Sequence, residues 1–516
     1  MSWQDEVDEI ERQNKMAEQM GGADSIAFHH GRGKLTVRER LGLLGDPSSM
    51  EEIGPLAGTP VWEGQELKSL KPSNTLIGTC KVNGRKITFS GGDFTIRGGS
   101  ADANVGNKAR FIENYALNSR LPYVRLLDAT GGSVKTFEQI GRTYLPEGAG
   151  ADLGIQLMQT VPVVSAVMGS VAGLPAVQAC LCHFNLMVKN TSQVFVAGPK
   201  VVEQATGEPI SKEDLGDERV QVRNGVIMNL AENESDAIDQ IKQFLSYLPS
   251  NVYELPPTVN CTDDPERRDQ SLMSLVPKNR RQIYDPKKIL QAVFDKDSFF
   301  EIGPYYGKAR VTGLARLNGM PCGVMANNPK FNGGSMDIQA GEKTIRLVEL
   351  CETFNLPMVY FADEPGFSVG PKQEHAGIVR AGARVLTKIH NSSMPYACIV
   401  IRQLYGVAGG LHHREKGFYR RYAWPSTHGG SMHIEGGTAI AYKREIEAAD
   451  NPEAKRQEIE ARLQAISSPL RNAHAFGIEN MIDPRNTRPL LVEFMEDAYR
   501  LLPESLGRSG GLSYTP

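Results

Sequence analysis

Excess charge of either sign is missing from this chain. Its 57 Lys and Arg nearly balance its 60 Asp and Glu, leaving a formal net charge of −3. A nucleic-acid binder shows a basic excess or stripe, and an acidic disordered tail shows the opposite bias. Neither is present, so no nucleic-acid partner is expected. Long apolar runs are missing too. No stretch approaches the roughly 18 uninterrupted apolar residues of a transmembrane helix. The opening MSWQDEVDEIERQNK is charged and has no apolar signal core. Cytoplasmic residence without a membrane partner is therefore expected. Cysteine is sparse, seven in 516 residues, with Cys180 and Cys182 the only close pair. That excludes a disulfide framework and a zinc ribbon, which needs two paired ligand sets, and no metal is expected. Gly98-Gly99 does not extend to G-x-G-x-x-G, and no P-loop is present.

Glycine is what the chain has in excess. It contributes 52 of 516 residues, against a usual share of about 7%. The glycines fall in GG and GGS clusters without a period of three, which excludes collagen. With 40% hydrophobic and 23% charged residues, the rest reads as an ordinary globular protein of two or more domains.

The clusters belong to an internal repeat. Residues 98–128 and 333–363 align without a gap at an offset of 235. Ten of the 31 positions are identical, among them Gly98/Gly333, Gly99/Gly334, Lys108/Lys343, Pro122/Pro357 and Asp128/Asp363. Chance would give roughly two from average usage. The lag is near half the chain, so the repeat means two homologous halves and not a solenoid. Each copy has one grammar: an apolar strand, a GGS turn, an amphipathic helix closed by Leu-Pro, then a strand ending at Asp. Helices alternating with apolar strands imply an α/β fold. Residues 1–45 read as a helical arm, 46–245 as the first domain, 246–285 as a proline-rich charged linker, and 286–516 as the second domain.

Each half also holds a strand running into a glycine turn, at Gly173 and at Gly406–Gly410. Backbone N–H groups at such turns, placed where negative charge develops, form an oxyanion hole. Two holes suit a reaction with two enolate-like intermediates, although each turn alone could simply be a tight turn. Asp128 and Asp363 sit at strand ends and could act as acid or base, but capping and turn bonding are commoner for Asp. His412, His413, Arg414, Arg420 and Arg421 read more readily as a solvated loop or subunit contact than as a catalytic run.

At these residues the chain resembles the carboxyltransferase (β) subunits of biotin-dependent acyl-CoA carboxylases, the propionyl-CoA and methylcrotonyl-CoA carboxylase group. The resemblance runs almost end to end. It is carried by Arg32–Leu41 (RGKLTVRERL), Phe89–Thr95, Asp128–Gly132, Val194–Gly216, Asn328–Lys330, Asp363–Phe367, Gly377–Ala383 and Tyr422–Pro425. It implies two crotonase-like ββα-superhelix domains, acyl-CoA on 46–245 and biotin on 286–516. It also implies a homohexamer, a trimer of dimers, with each active site shared between subunits. Carboxybiotin arrives on a separate carrier protein, so a biotin carboxylase and carrier (α) subunit is the implied partner.

The resemblance places the acyl-CoA oxyanion hole at Gly173 and Leu174, and the biotin hole at Gly406 and Val407, extending to Ala408. Gly131, Gly132, Arg97 and Lys108 are expected to bind the CoA ligand, with Arg110 a further phosphate contact. Gly366, Phe367, Gly409 and Gly410 are expected on the biotin side. The chain departs from the family where many members have Gly-Gly: here stand Gly-Leu and Gly-Val. Leu and Val resist φ > 0, and Pro175 biases Leu174 towards extended geometry. Gly410 stands where an acidic residue is common, so a larger or branched acyl group is expected. Proline at Gly173 is expected to remove a donor and cripple the acyl half-reaction. Two alternatives remain open: a biotin-dependent acyl-CoA decarboxylase, and a non-catalytic or biotin-independent acyl-CoA-binding relative.

Overall fold

The computed structural model describes residues 2–145, 151–280, 282–414 and 416–507. They form two compact units that divide between Glu254 and Leu255. Each is built around a seven-stranded sheet. In the first, the antiparallel hairpin Thr75–Val82 and Arg85–Gly92 leads into parallel strands Tyr123–Leu127, Val163–Val167, Phe184–Val188 and Asn229–Ala231. In the second, the hairpin Arg310–Leu317 and Met320–Asn327 leads into Met358–Glu364, Tyr396–Tyr405 and Tyr419–Ala423. Parallel neighbours need a crossover, and helices supply it: Lys108–Ser119 in one unit, Ile338–Thr353 in the other. Every residue of Tyr123–Leu127, Val163–Val167 and Phe184–Val188 is buried, as expected of parallel strands covered on both faces.

The repeat reappears in the backbone. Both hairpins turn on Asn-Gly, with φ of 51° and 80° at Asn83-Gly84 and 50° and 77° at Asn318-Gly319. Two successive left-handed residues make a type I′ turn, whose twist matches the strands. Gly99 and Gly334 are both left-handed. At Gly99 a Cβ would stand 2.6 Å from the Asp128 carbonyl oxygen, so only glycine fits. Arg120 and Asn355, at φ 54° and 56°, close the two crossover helices just before each Leu-Pro.

The N-terminal arm holds three helices, Gln4–Glu18, Ala23–His30 and Val37–Leu44. The last begins with a capping box between Thr36 and Glu39, which satisfies two otherwise orphaned N–H groups. The stretch 246–285 is less of a free tether than its prolines suggest. Leu272, Val276 and Tyr284 lie in the core of the second unit with Trp424 and Phe361.

The repeat also buries a lysine in each unit, Lys108 and Lys343. Lys343 Nζ donates to the Arg310 carbonyl at 2.8 Å, and burial holds its pKa down to about 7. An unfolded lysine titrates near 10.4. Between those values the unfolded chain binds more protons, so stability rises with pH across that window and is lost as pH falls towards 7. Lys343→Met is expected to flatten this slope, at most about 1.4 kcal/mol per pH unit. Urea unfolding of both proteins at neutral and alkaline pH checks it.

Candidate active site

The first glycine turn follows the short strand Ser170–Ala172. Gly173 takes φ 68° and ψ −133° and starts the helix Leu174–Cys180. Pro175 sits in that helix's first turn, where a missing N–H breaks no bond. The left-handed step falls on Gly173 alone; neither Leu174 nor Val407 has positive φ. The strain expected from the Gly-Leu and Gly-Val pairs is therefore absent. A second expectation changes as well. The Gly173 N–H already donates to the Val196 carbonyl at 3.1 Å. The donor left without an acceptor among the described residues is Leu174 N–H, at the start of the helix; Leu174 is half-exposed.

The turn Asp128–Gly132 lies beside it. Ala172 N–H donates to the Ala129 carbonyl at 3.3 Å. Gly131, at φ 80°, would bring a Cβ within 2.5 Å of the Ala172 oxygen and 3.7 Å of Gly173 Cα. Ala101 N–H donates to the Gly131 carbonyl at 2.9 Å, so the GGS turn joins the same wall. Gly132 faces open space.

The second unit repeats the arrangement. The strand Tyr396–Tyr405 runs into Gly406, at φ 59°, and the one-turn helix Gly406–Gly410. The N–H groups of Val407 and Ala408 have no acceptor among the described residues, because a first helical turn supplies none. Val407 is 68% exposed. A Cβ at Gly409 would reach within 2.9 Å of the Leu404 backbone, whereas Gly410 is open. Met336 N–H donates to the Gly366 carbonyl at 3.0 Å, as Ala101 does to Gly131. Phe367 takes the position of Gly132, and its ring packs on Gly382. His433 Nε2 bonds the Pro365 carbonyl at 3.0 Å and lies 3.9 Å, ring to ring, from Tyr405. His428, bonded through Nδ1 to Tyr405 OH at 3.1 Å, is held to a pKa of about 4, chiefly by burial. It is a neutral support.

Several candidates have other work. Lys108 does not offer its ammonium to a phosphate: it is buried and donates to the Gly54 carbonyl at 3.1 Å. Arg97 is partly exposed and pairs with Asp102; Arg110 is exposed. His412 is fully buried, with Nδ1 2.8 Å from Tyr396 OH, and burial drives its pKa well below the usual value. Arg414 donates to the Met394 carbonyl at 2.8 Å, and Arg421 pairs with Glu479 at 2.6 Å. Those three are structural, whereas His413 and Arg420 of the same run are exposed. Asp128 and Asp363 are buried in ion pairs. Ser431, whose carbonyl oxygen would lie 3.5 Å from a Cβ at Gly406, and His433 back the second turn and were not legible; an isolated Ser and His after a Gly-Gly carry no spacing signal.

Two homologous βα units, each with a positive-φ glycine after a strand and at least one following N–H without an acceptor among the described residues, have the crotonase-like α/β fold. A solved transcarboxylase 12S structure, a hexamer with methylmalonyl-coenzyme A and methylmalonic acid bound, superimposes with a TM-score of 0.86. It is 28% identical, over 96% of this chain and 95% of that one. The chain belongs to the carboxyl transferase domain family, which it matches over residues 28–500. It is 33% identical to the propionyl-CoA carboxylase carboxyltransferase subunit of Haloferax mediterranei, over 95% of this chain and 96% of that protein. It is also 33% identical to the methylmalonyl-CoA decarboxylase subunit alpha of Veillonella parvula, over 92% and 91%. The protein is a carboxyltransferase.

Proposed function

We propose that the chain is the carboxyltransferase subunit of an acyl-CoA carboxylase. It moves a carboxyl group from biotin, carried on a separate protein, to the α or vinylogous γ carbon of an acyl-CoA. The observation that carries this reading is the pair of glycine turns, which present the N–H of Leu174 in one unit and those of Val407 and Ala408 in the other, none with an acceptor among the described residues. In the first unit Leu174 N–H holds the thioester oxygen as charge develops on it, Gly131 packs closely on the Ala172 carbonyl, and Gly132 leaves room for the ligand beside it. In the second, Val407 and Ala408 N–H hold the ureido oxygen. Carboxybiotin, when bound, supplies the carbon dioxide and the base. No side-chain base is needed, which agrees with Asp128, Asp363 and His412 being committed elsewhere. Among the described residues no cluster of His, Cys, Asp and Glu could hold a metal, and no helix is long and apolar enough to cross a membrane. The reading includes a cytoplasmic homohexamer working with a biotin carboxylase and carrier subunit. The reading also includes a larger or branched acyl group, on the ground that Gly410 stands where the resemblance has an acidic residue.

The test is reconstitution with a biotin carboxylase and a biotinylated carrier, followed by an acyl-CoA screen read by mass. One or a few thioesters are expected to gain a carboxyl group. Failure of every thioester, with carboxylated carrier left undischarged, would overturn the reading. The Veillonella relative favours a second reading, transfer in the opposite direction from a carboxylated thioester to biotin. The same components, started from the carboxylated thioester, measure which direction is faster.

A further inference from the structure

The two aspartates that end the central strands do different things with the same offset. Asp128 is fully buried, and its Oδ2 accepts from Lys34 Nζ at 2.6 Å and Arg40 Nη1 at 3.0 Å. Both cations come from the N-terminal arm. Arg40 also donates through Nη2 to the Met168 carbonyl at 3.1 Å, and Glu234 grips it at 2.7 and 2.9 Å. Met168 opens the short run that delivers Gly173. One guanidinium therefore ties Asp128 to the strand end that carries the first donor turn.

In the second unit the cation comes from the strand itself. Asp363 accepts from Arg402 Nε at 3.0 Å and Nη2 at 2.9 Å, and from Tyr284 OH at 2.8 Å. Gln403 donates to it through both its backbone N–H and its side chain, each at 3.1 Å. The strand register shifts between Ala362 and Glu364, so this carboxylate takes the place of a ladder bond. Arg402 stands four residues before Gly406. Four residues before Gly173 stands Gly169. A Cβ there would lie 2.1 Å from Asp128 Oδ1 and 2.3 Å from Lys34 Nζ. The first unit has emptied the strand position and filled the space from the arm.

Resting on the functional reading above, we propose that Lys34 with Arg40 in the first unit, and Arg402 in the second, are positioning residues for the two donor turns. They act through Asp128 and Asp363, each on its own half of the reaction. An oxyanion donor works over a few tenths of an ångström, and a displacement of about 1 Å can cost on the order of 10²-fold. The acyl-side turn is thereby tied to the N-terminal arm, and the biotin-side turn is not.

The test separates the halves. Loss of CO2 from a carboxyacyl-CoA without biotin, with water supplying the proton, leaves charge only at the first turn. Loss of CO2 from carboxybiotin without acyl-CoA leaves it only at the second. Lys34→Met is expected to slow the first reaction by at least about tenfold and to leave the second within about twofold. Arg402→Met is expected to do the reverse. Lys34→Arg and Arg402→Lys, which keep the charge and guard against misfolding, are expected to recover most of each loss. Equal slowing of both reactions by each variant, or of neither, would overturn the inference while wild-type activity stands. Wild-type chain that catalyses neither reaction would overturn the functional reading, and this inference with it.

Discussion

Val407→Pro is expected to lower carboxyl transfer by about 10²–10³-fold, the usual cost of one lost oxyanion donor, with little change in melting temperature. The substitution removes the N–H and little else. That N–H has no acceptor among the described residues, so no bond among them is lost. Val407 occupies the first turn of its helix and is largely exposed, a place where proline's fixed φ is tolerated. Gly406, without a Cβ, avoids much of the clash that proline imposes on the residue before it. Val407→Ala keeps the N–H and is expected to stay near wild type. Steady-state transfer rates and thermal unfolding of the two variants make the comparison; equal rates would remove Val407 N–H from the reaction. Gly173→Pro is a poorer test than the sequence suggests. Gly173 sits at φ 68° and donates to Val196, so proline there breaks the turn itself.

How much of this was legible follows from the kind of interaction involved. The two-unit fold was readable because a gapless repeat preserves local constraints. Glycines fix left-handed positions, Leu-Pro ends helices, and apolar runs mark strands buried on both faces. The turns were readable for the same reason. The choice of donor within them was not, because it depends on which N–H a distant carbonyl occupies: Val196 takes the one at Gly173. Lys108 looked like a phosphate contact because a lysine at a helix start usually faces water, and only the fold reveals the Gly54 carbonyl above it. The RGKLTVRERL segment was visible as a family mark, yet its pairing with Asp128, about ninety residues on, is tertiary. So is the emptiness demanded at Gly169. A lone glycine inside an apolar run says that something approaches closely, but not that it is a lysine ammonium.

Charge burial governs the second large effect. Arg310 and Glu364 are both fully buried and pair at 2.6 Å. Arg310 Nη1 donates to Tyr360 OH at 2.9 Å, the Tyr360 hydroxyl donates to Asn327 Oδ1, and Asn327 Nδ2 donates to Glu364 at 3.2 Å. Glu364 ends the strand immediately before Pro365-Gly366, so this network supports the second site from beneath. Burial pushes the Glu364 carboxyl above the usual carboxylate range, and the Arg310 guanidinium works against that push. Arg310→Met removes the cation and leaves the carboxylate uncompensated. Breaking a buried pair this way costs about 3–5 kcal/mol, to be seen in urea unfolding at about pH 8. The loss is expected to shrink as pH falls. With its pKa raised further in the folded state, Glu364 binds a proton there before it does in the unfolded chain, so stability falls as pH rises through that window. The wild type, with the cation in place, is expected to show a smaller slope. Replacing both partners, Arg310→Met with Glu364→Met, removes the uncompensated charge and is expected to recover most of the loss, because a buried ion pair is about as stable as an apolar pair of similar volume. A double variant no more stable than Arg310→Met would mean that Arg310 acts through Tyr360 and Asn327 and not through Glu364.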